Sequence, residues 1–234
     1  SFEDYNRIAG FFNRSLNPAS PVQYGTTVAI GNVVVSPSEF LPRLFEQGGK
    51  LFNAKGQITV DTPEALAALK NYRETYACSD RTVHDIWKNV LEGFADGSAA
   101  MTVVFINYAS HILNSKMSSI AGITRSCAHP ETACAFLSWL YSNQTAPAFT
   151  LLGGLSPCRS AYSNRDIKER YPWLSAARRS FPSAQRRSGS AYYSNFSELQ
   201  MENILAAYVQ RAVLGVCTPE EALAQAQAEM DAHF

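Results

Sequence analysis

The spacing of apolar residues along the chain predicts at least five amphipathic helices. Each combines apolar positions three or four residues apart with a start or stop signal, such as proline at the first helical position or glycine after the last turn. These helices are predicted to begin near Ser36, Thr62, His129, Leu199 and Thr218. The chain is therefore expected to be rich in helix and to end in one.

Two of these helices begin with the same motif. Residues 36–39 (Ser-Pro-Ser-Glu) and 218–221 (Thr-Pro-Glu-Glu) each match a capping box, in which a hydroxyl and a carboxylate satisfy backbone N–H groups at the helix start. Glycines at positions 48 and 49 would end the first helix. The second would place four apolar residues on one face: Leu223, Ala226, Met230 and Phe234.

Strand signals are fewer and shorter than helix signals. Residues 26–30 and 100–106 are rich in β-branched residues and are bounded by glycine or small polar residues, which predicts two strands. The second follows a predicted helix that contains Trp87, Val90 and Phe94 and ends at an Asp-Gly pair. Helices and strands are therefore intermixed along the chain.

The region from 159 to 197 is polar. Residues 159–187 hold eight basic and two acidic side chains, and residues 188–197 are rich in serine and tyrosine. Residues 188–197 therefore favour a surface loop. The arginines at 178, 179, 186 and 187 favour a solvated face over a phosphate site.

Composition and charge exclude several classes of protein. The chain has 234 residues, of which 46% are apolar and 17% are charged, so it can form one large globular domain or two small ones. Twenty basic and twenty acidic residues cancel, which leaves no long-range field to attract nucleic acid or an anionic membrane. No apolar run approaches the roughly 20 residues that a membrane-spanning helix needs.

The residues also give no sign of catalysis or of a cofactor. The five cysteines include no C-x-x-C pair, and the four histidines show no metal-binding spacing. No phosphate-binding loop is present, and residues 153–157 do not match a nucleophile elbow. We therefore predict a protein that is not an enzyme and needs no cofactor and no metal, with its cysteines as buried or half-buried free thiols.

Five segments together resemble one family. They cover residues 39–52, 62–69, 94–102, 133–140 and 218–223, in matching order and spacing over most of the chain. The set is similar to the family 1 extracellular solute-binding proteins, the maltose-binding-protein-like sugar receptors of bacterial ABC importers. The resemblance implies an α/β, periplasmic-binding-protein-like (type II) fold, rich in helix, with short central strands.

The resemblance also implies a division of the chain. Residues 1–122 would form the α/β core of the second lobe, residues 123–158 a helical segment returning from the first lobe, and residues 159–234 the C-terminal helices that pack on the second lobe. Two parts of the family pattern are not found: the N-terminal part of the first lobe, expected before Ser1, and a strand pair expected between Gly122 and Ile123.

Seven residues fall where the family binds sugar. Asn107 and Tyr108 follow the predicted strand 100–106, where the tyrosine ring would stack on a pyranose; core packing at a strand end is the alternative for Tyr108. Ser36 and Glu39 would lie at the cleft edge, although the capping box also explains both. A third group would come from the C-terminal part, unless it forms only an exposed loop: Tyr192, Tyr193 and Phe196.

The function implied is the substrate-binding component of an ABC-type carbohydrate transporter. Such a receptor binds a sugar between its lobes and delivers it to permease subunits in the membrane. It would be periplasmic or extracellular, with a lipid anchor at the bacterial cell surface left open, and monomeric when full-length. The alternative is a truncated receptor lobe that acts as a protein-interaction domain without binding sugar.

Overall fold

The structure, a computed structural model, describes residues 1–31, 35–81, 87–104, 127–154, 156, 158–180 and 197–234. Contacts divide the chain into two compact units. Unit 1 comprises Ser1–Val104 with Gln185–Phe234, and unit 2 comprises Phe105–Ala184. The predicted division at residues 122 and 158 refers to the lobes of a whole receptor and stays a prediction.

The described elements are mostly helices, as the sequence predicts. In chain order they are α1 (Phe2–Phe12), β1 (Tyr24–Thr27), α2 (Val35–Glu46), α3 (Pro63–Ala77), α4 (Trp87–Ala95), β2 (Ala99–Thr102), α5 (Pro130–Leu140), α6 (Thr145–Leu151), a 3₁₀ turn (Ala161–Ser163), α7 (Arg165–Arg170), α8 (Leu174–Ser180), α9 (Glu198–Val213) and α10 (Pro219–His233).

The core of unit 1 lies among α2, α3, α9 and α10. Helix α9 contacts the other three, and the apolar stripes that define these helices in the sequence meet there. Residues with essentially no exposed surface include Phe40, Leu44, Leu69, Leu205, Leu223, Ala226 and Met230. Phe234 is 44% exposed, so its predicted place on the buried face is wrong.

Helix α10 starts as its sequence predicts. The Thr218 hydroxyl accepts a hydrogen bond from the Glu221 backbone N–H at 3.1 Å, and the Glu221 carboxylate accepts one from the Thr218 N–H at 2.9 Å. The capping box is therefore complete. Thr62 caps α3 through the Ala65 N–H in the same way, and Gly215 ends α9 with a φ of +77°.

The two strands pair in parallel and are shorter than the sequence predicts. Thr26 lies opposite Met101, and Thr27 lies opposite Thr102. The predicted strand 26–30 ends early because the carbonyls of Ala29 and Ile30 accept hydrogen bonds from side chains of α3 and α9 instead of from a strand. Of the predicted strand 100–106, Val103 and Val104 lie beyond β2, and residues 105 and 106 lie outside the described residues.

Helix α1 has no counterpart among the predicted helices. Ser1 caps it by accepting a hydrogen bond from the Asp4 N–H at 3.1 Å, and Glu3 and Asp4 place negative charge in its first turn. The helix packs on β1 and α3.

Unit 2 is a group of short helices with a small core. Its buried apolar residues come from α6, the 3₁₀ turn, α7, the residue that follows α7, and α8: Ala146, Ala161, Tyr162, Ile167, Tyr171 and Leu174. Asn164 caps α7 by accepting hydrogen bonds from the N–H groups of Asp166 and Ile167. Residues 188–196 of the predicted surface loop lie outside the described residues.

Helix α5 buries no residue. Its Phe136 and Trp139 side chains are 54% and 58% exposed, with ring centroids 5.7 Å apart. Cys134 on the same helix is exposed, so the expectation of buried or half-buried thiols is wrong for this cysteine.

Candidate functional site

The carboxyl ends of β1 and β2 form one edge of unit 1. The two strands run in the same direction, and the hydroxyl of Thr27 donates a 2.7 Å hydrogen bond to that of Thr102 where both strands end. In α/β proteins with parallel strands, ligands bind outside this end of the sheet. We refer to residues 27–31 and 102–104 as the carboxyl edge.

The segments that leave the two strands stay together. Val104 packs against a cluster of Ala29, Val35 and Val90, so the chain beyond β2 meets both the chain beyond β1 and the start of α2. The sequence continues from Val104 to Asn107 and Tyr108 three and four positions later. Helix α2 begins at the same edge.

Ser36 and Glu39 lie at this edge but are buried and hydrogen-bonded within the protein. Ser36 has no exposed surface, and its hydroxyl donates to the Ala206 carbonyl at 3.5 Å. Because α2 begins at Val35, Ser36 lies inside the first turn and does not cap the helix. The predicted capping box at residues 36–39 is therefore wrong, and a ligand role for these two residues stays a prediction.

Glu39 is held by a residue that the sequence analysis did not single out. Arg43, four positions later on α2, donates to its carboxylate at 2.9 Å, and the exposed fractions of the two side chains are 1% and 4%. Burial raises the pKa of Glu39, while the charge and hydrogen bond of Arg43 and a backbone hydrogen bond from Ala29 oppose that rise. The i,i+4 spacing of opposite charges is the signal that could have identified Arg43.

Arg43 is itself fixed by several neighbours. Its Nε donates to Asn71 Oδ1 and its Nη2 donates to Thr75 Oγ1, each at 3.2 Å. Its guanidinium lies 4.2 Å from the ring centroid of Phe2 and 5.0 Å from that of Tyr72. Helices α1, α2 and α3 are joined through this one side chain.

Two further side chains hold the segment between β1 and α2. The Tyr72 hydroxyl on α3 donates to the Ala29 carbonyl, and Gln210 Nε2 on α9 donates to the Ile30 carbonyl at 2.8 Å. Val28, Ala29 and Ile30 are at most 3% exposed. This part of the edge is therefore held both by burial and by hydrogen bonds from α3 and α9.

The other predicted ligand residues lie outside the described residues: Asn107, Tyr108, Tyr192, Tyr193 and Phe196. Their roles stay predictions. The described part of the carboxyl edge ends at Val104, three positions before Asn107 in the sequence.

Neither a metal site nor a membrane span is found in the described part. Among these residues no group of three or more His, Cys, Asp and Glu side chains is placed to hold a metal ion. Within the same ranges no helix is both long and apolar enough to cross a bilayer.

One curated protein is similar in sequence to part of the chain. No family model matches the chain. It is 31% identical over 100 residues to YcjN of Escherichia coli (strain K12), a candidate ABC transporter periplasmic-binding protein, and this match covers 43% of the chain and 22% of YcjN.

Solved structures match over the whole chain. An ABC transporter solute-binding protein from Agrobacterium radiobacter K84 in complex with ribitol has a TM-score of 0.79 and 17% identity, and maltose-bound MalE3 of T. maritima has 0.80 and 18%. A solute-binding protein from Agrobacterium vitis S4 with bound D-mannitol has 0.77 and 16%, over 99% of the chain. The chain spans 64–65% of the length of these three proteins.

The resemblance drawn from the sequence is thus confirmed at the level of the fold. The chain has the helix-rich, periplasmic-binding-protein-like fold of MalE-type proteins. Two of these three structures are of ABC transporter solute-binding proteins, with ribitol and D-mannitol, and MalE3 carries maltose.

Proposed function

We propose that this chain is a carbohydrate-binding part of the substrate-binding component of an ABC-type transporter. It binds a sugar or sugar alcohol at the carboxyl edge of unit 1, performs no chemistry, and takes part in delivering the ligand to the permease subunits. The observation that carries the proposal is the parallel strand pair, whose carboxyl ends lead to the start of α2 and toward Asn107 and Tyr108.

The proposed ligand is a polyhydroxylated molecule. The three solved relatives carry ribitol, maltose and D-mannitol, and an aromatic ring beside amide groups suits the apolar and polar faces of such molecules. The relatives' names support a periplasmic or extracellular location, and we propose the same for this chain. A monomeric full-length state is part of the proposal, and a lipid anchor is left open.

A titration of the chain with sugars tests the proposal. Nuclear magnetic resonance spectra recorded with maltose, D-mannitol or ribitol should show shifts of the amides at residues 28–31 and 103–108, with millimolar affinity. The affinity is expected to be low because the described edge forms one wall of a site, whereas tight sites bury most of the ligand surface. Glycine betaine serves as the non-sugar control. Absence of any shift at tens of millimolar of all three ligands would overturn the proposal.

Tyr108→Ala separates binding from packing. If the ring stacks on the sugar, the change weakens binding by about 1–3 kcal/mol and leaves the melting temperature unchanged. A large fall in melting temperature with unchanged affinity would instead assign Tyr108 to the core.

One observation favours a second function, that of a protein-interaction domain. Phe136 and Trp139 expose two neighbouring rings on α5, and exposed apolar surface of this kind marks interaction sites. Changing both residues to Gln should reduce dye binding to apolar surface and self-association at unchanged melting temperature. Leu152→Gln, at a residue 84% exposed outside the helix, is the control. Equal dye binding by all forms would count against this function.

A further inference from the structure

Three side chains from three helices converge on the backbone of two consecutive residues of the carboxyl edge, Ala29 and Ile30. Tyr72 of α3 donates to the Ala29 carbonyl, Gln210 of α9 donates to the Ile30 carbonyl at 2.8 Å, and Glu39 of α2 accepts a hydrogen bond from the Ala29 backbone. Polar side chains that bind buried backbone groups of a loop fix its conformation, because each lost bond would leave an unsatisfied buried group.

Strand pairing alone does not fix the segment that these three side chains bind. Strand β1 ends at Thr27, and in the described part of the sheet the Ala29 and Ile30 carbonyls have no strand partner. Residue Ala29 has no exposed surface and residue Ile30 is 2% exposed, backbone included, so water does not substitute for these bonds. The three side chains take over the role that a longer strand would have.

The polar residues behind this contact keep it in place. Glu39 is oriented by Arg43 at 2.9 Å, and Arg43 is oriented by Asn71 and Thr75. The guanidinium also lies over the Tyr72 ring at 5.0 Å from its centroid. Two of the three contacting side chains, Glu39 and Tyr72, therefore share one support.

We propose that Tyr72, Gln210 and Glu39 are positioning residues that fix the backbone of residues 28–31 in its ligand-binding geometry. The inference rests on the proposed function, since it assigns these residues to the same edge. It gives Glu39 a role different from that of a direct sugar ligand: its carboxylate is directed to the Ala29 backbone and to Arg43 inside the protein.

The test uses variants that each remove one hydrogen-bond donor with little change in volume. Tyr72→Phe and Gln210→Met remove the donors to the Ala29 and Ile30 carbonyls. Tyr208→Phe is the matched control, because the hydroxyl that it removes donates to Glu229 at 2.6 Å, between α9 and α10, and not to a carbonyl of the carboxyl edge. Affinity for maltose, D-mannitol and ribitol is measured by the amide titration at a temperature where every form is fully folded.

We expect the affinity to be about two- to tenfold lower for Tyr72→Phe and for Gln210→Met. This range is the net free energy of one hydrogen bond converted to a ratio of binding constants. Amides of residues 28–31 should exchange faster in these two variants, and Tyr208→Phe should match the unchanged chain in both measurements. Gln210 is only half-buried, so Gln210→Met supplies the affinity measurement if Tyr72→Phe fails to fold.

The outcomes distinguish this inference from the proposed function. Unchanged affinity in folded Gln210→Met and Tyr72→Phe, whatever their melting temperatures, would overturn the positioning role while the sugar site stands. An equal loss of affinity in Tyr208→Phe would also overturn it. Failure of the unchanged chain to bind any of the three ligands would overturn the proposed function, and the positioning role with it.

Discussion

Arg43 and Glu39 form an ion pair inside unit 1, with 2.9 Å between Nη1 of Arg43 and Oε2 of Glu39 and almost no exposed surface on either side chain. The pair lies one helical turn apart on α2 and connects that helix to α3 through Asn71 and Thr75. A buried charge is costly when its partner is removed, because the remaining charge has neither water nor a counter-ion.

The first prediction concerns this pair. Arg43→Met should lower the free energy of unfolding by about 3–5 kcal/mol, since it leaves the Glu39 carboxylate buried and unpaired. Adding Glu39→Gln should recover part of the loss, because the amide keeps an oxygen for the Ala29 N–H and carries no charge. Denaturant unfolding of the two variants measures both values. If the double variant were less stable than Arg43→Met alone, the ion pair would not be the source of the loss.

The second prediction concerns the dependence of stability on pH near Tyr5. Burial raises the pKa of Tyr5 from its ordinary value of 10.0 to about 12, although its hydrogen bond with Thr26 acts in the opposite direction. The folded chain therefore keeps the phenol proton to a higher pH than the unfolded chain does. The stability this provides is fully present below pH 10 and is lost as the pH rises through about 12, with an upper limit of about 3 kcal/mol.

Tyr5→Phe isolates that contribution. The variant should be less sensitive to pH between 10 and 12 than the unchanged chain, as measured by denaturant unfolding at a series of pH values. Tyr72 also has a raised pKa, but it is present in both forms and affects both equally. The contribution of Tyr5 is therefore the difference between the two forms in the slope of unfolding free energy against pH. Identical slopes would show that Tyr5 titrates at its ordinary value.

The sequence predicts helices of unit 1 well because their signals are local. Proline, a capping hydroxyl and an apolar stripe are sufficient to locate α3 and α10, and burial of Leu69, Leu223 and Met230 follows from the helical spacing. Helix α1 was also within reach, since Ser1 and Asp4 have the spacing of a cap.

Tertiary contacts explain where sequence patterns failed. Residues 36–39 and 218–221 have matching motifs, but only Glu221 is at an exposed helix start where its carboxylate can bind the cap. Glu39 is buried, and Arg43 and the Ala29 backbone bind its carboxylate instead. Strand β1 ends early for a similar reason, because Tyr72 and Gln210 bind the Ala29 and Ile30 carbonyls, which a longer strand would use for pairing. Both side chains lie far from β1 in the sequence. Such contacts have no local signal.

The third prediction concerns the approach of α1 to β1. A Cβ atom at Gly25 would lie 1.8 Å from the Ala9 carbonyl oxygen, and the obstacle is backbone, which cannot move aside as a side chain can. Gly25→Ala should therefore cost several kcal/mol or prevent α1 from packing on β1. Thermal unfolding of the variant measures the effect.

Gly10→Ala is the matched control for that change. It lies within α1, and its added Cβ would meet only Leu16 Cδ1 at an ordinary 3.9 Å. Because alanine is the better helix former, this variant should be more stable by about 0.4–1 kcal/mol. If both glycine variants had the same stability, α1 would not pack on β1 as the structure describes.

The last prediction concerns the start of α10. Thr218→Ala should lower the free energy of unfolding by about 0.5–2 kcal/mol, because the Glu221 N–H loses its acceptor, while Thr218→Gly should cost less. Thr218→Ser is the control and should retain the bond and the stability. The first turn of α10 leads directly to the buried Leu223, so amide exchange at residues 220–223 should be faster in Thr218→Ala and unchanged in Thr218→Ser. Equal exchange in all three variants would mean that packing of Leu223 alone holds the turn.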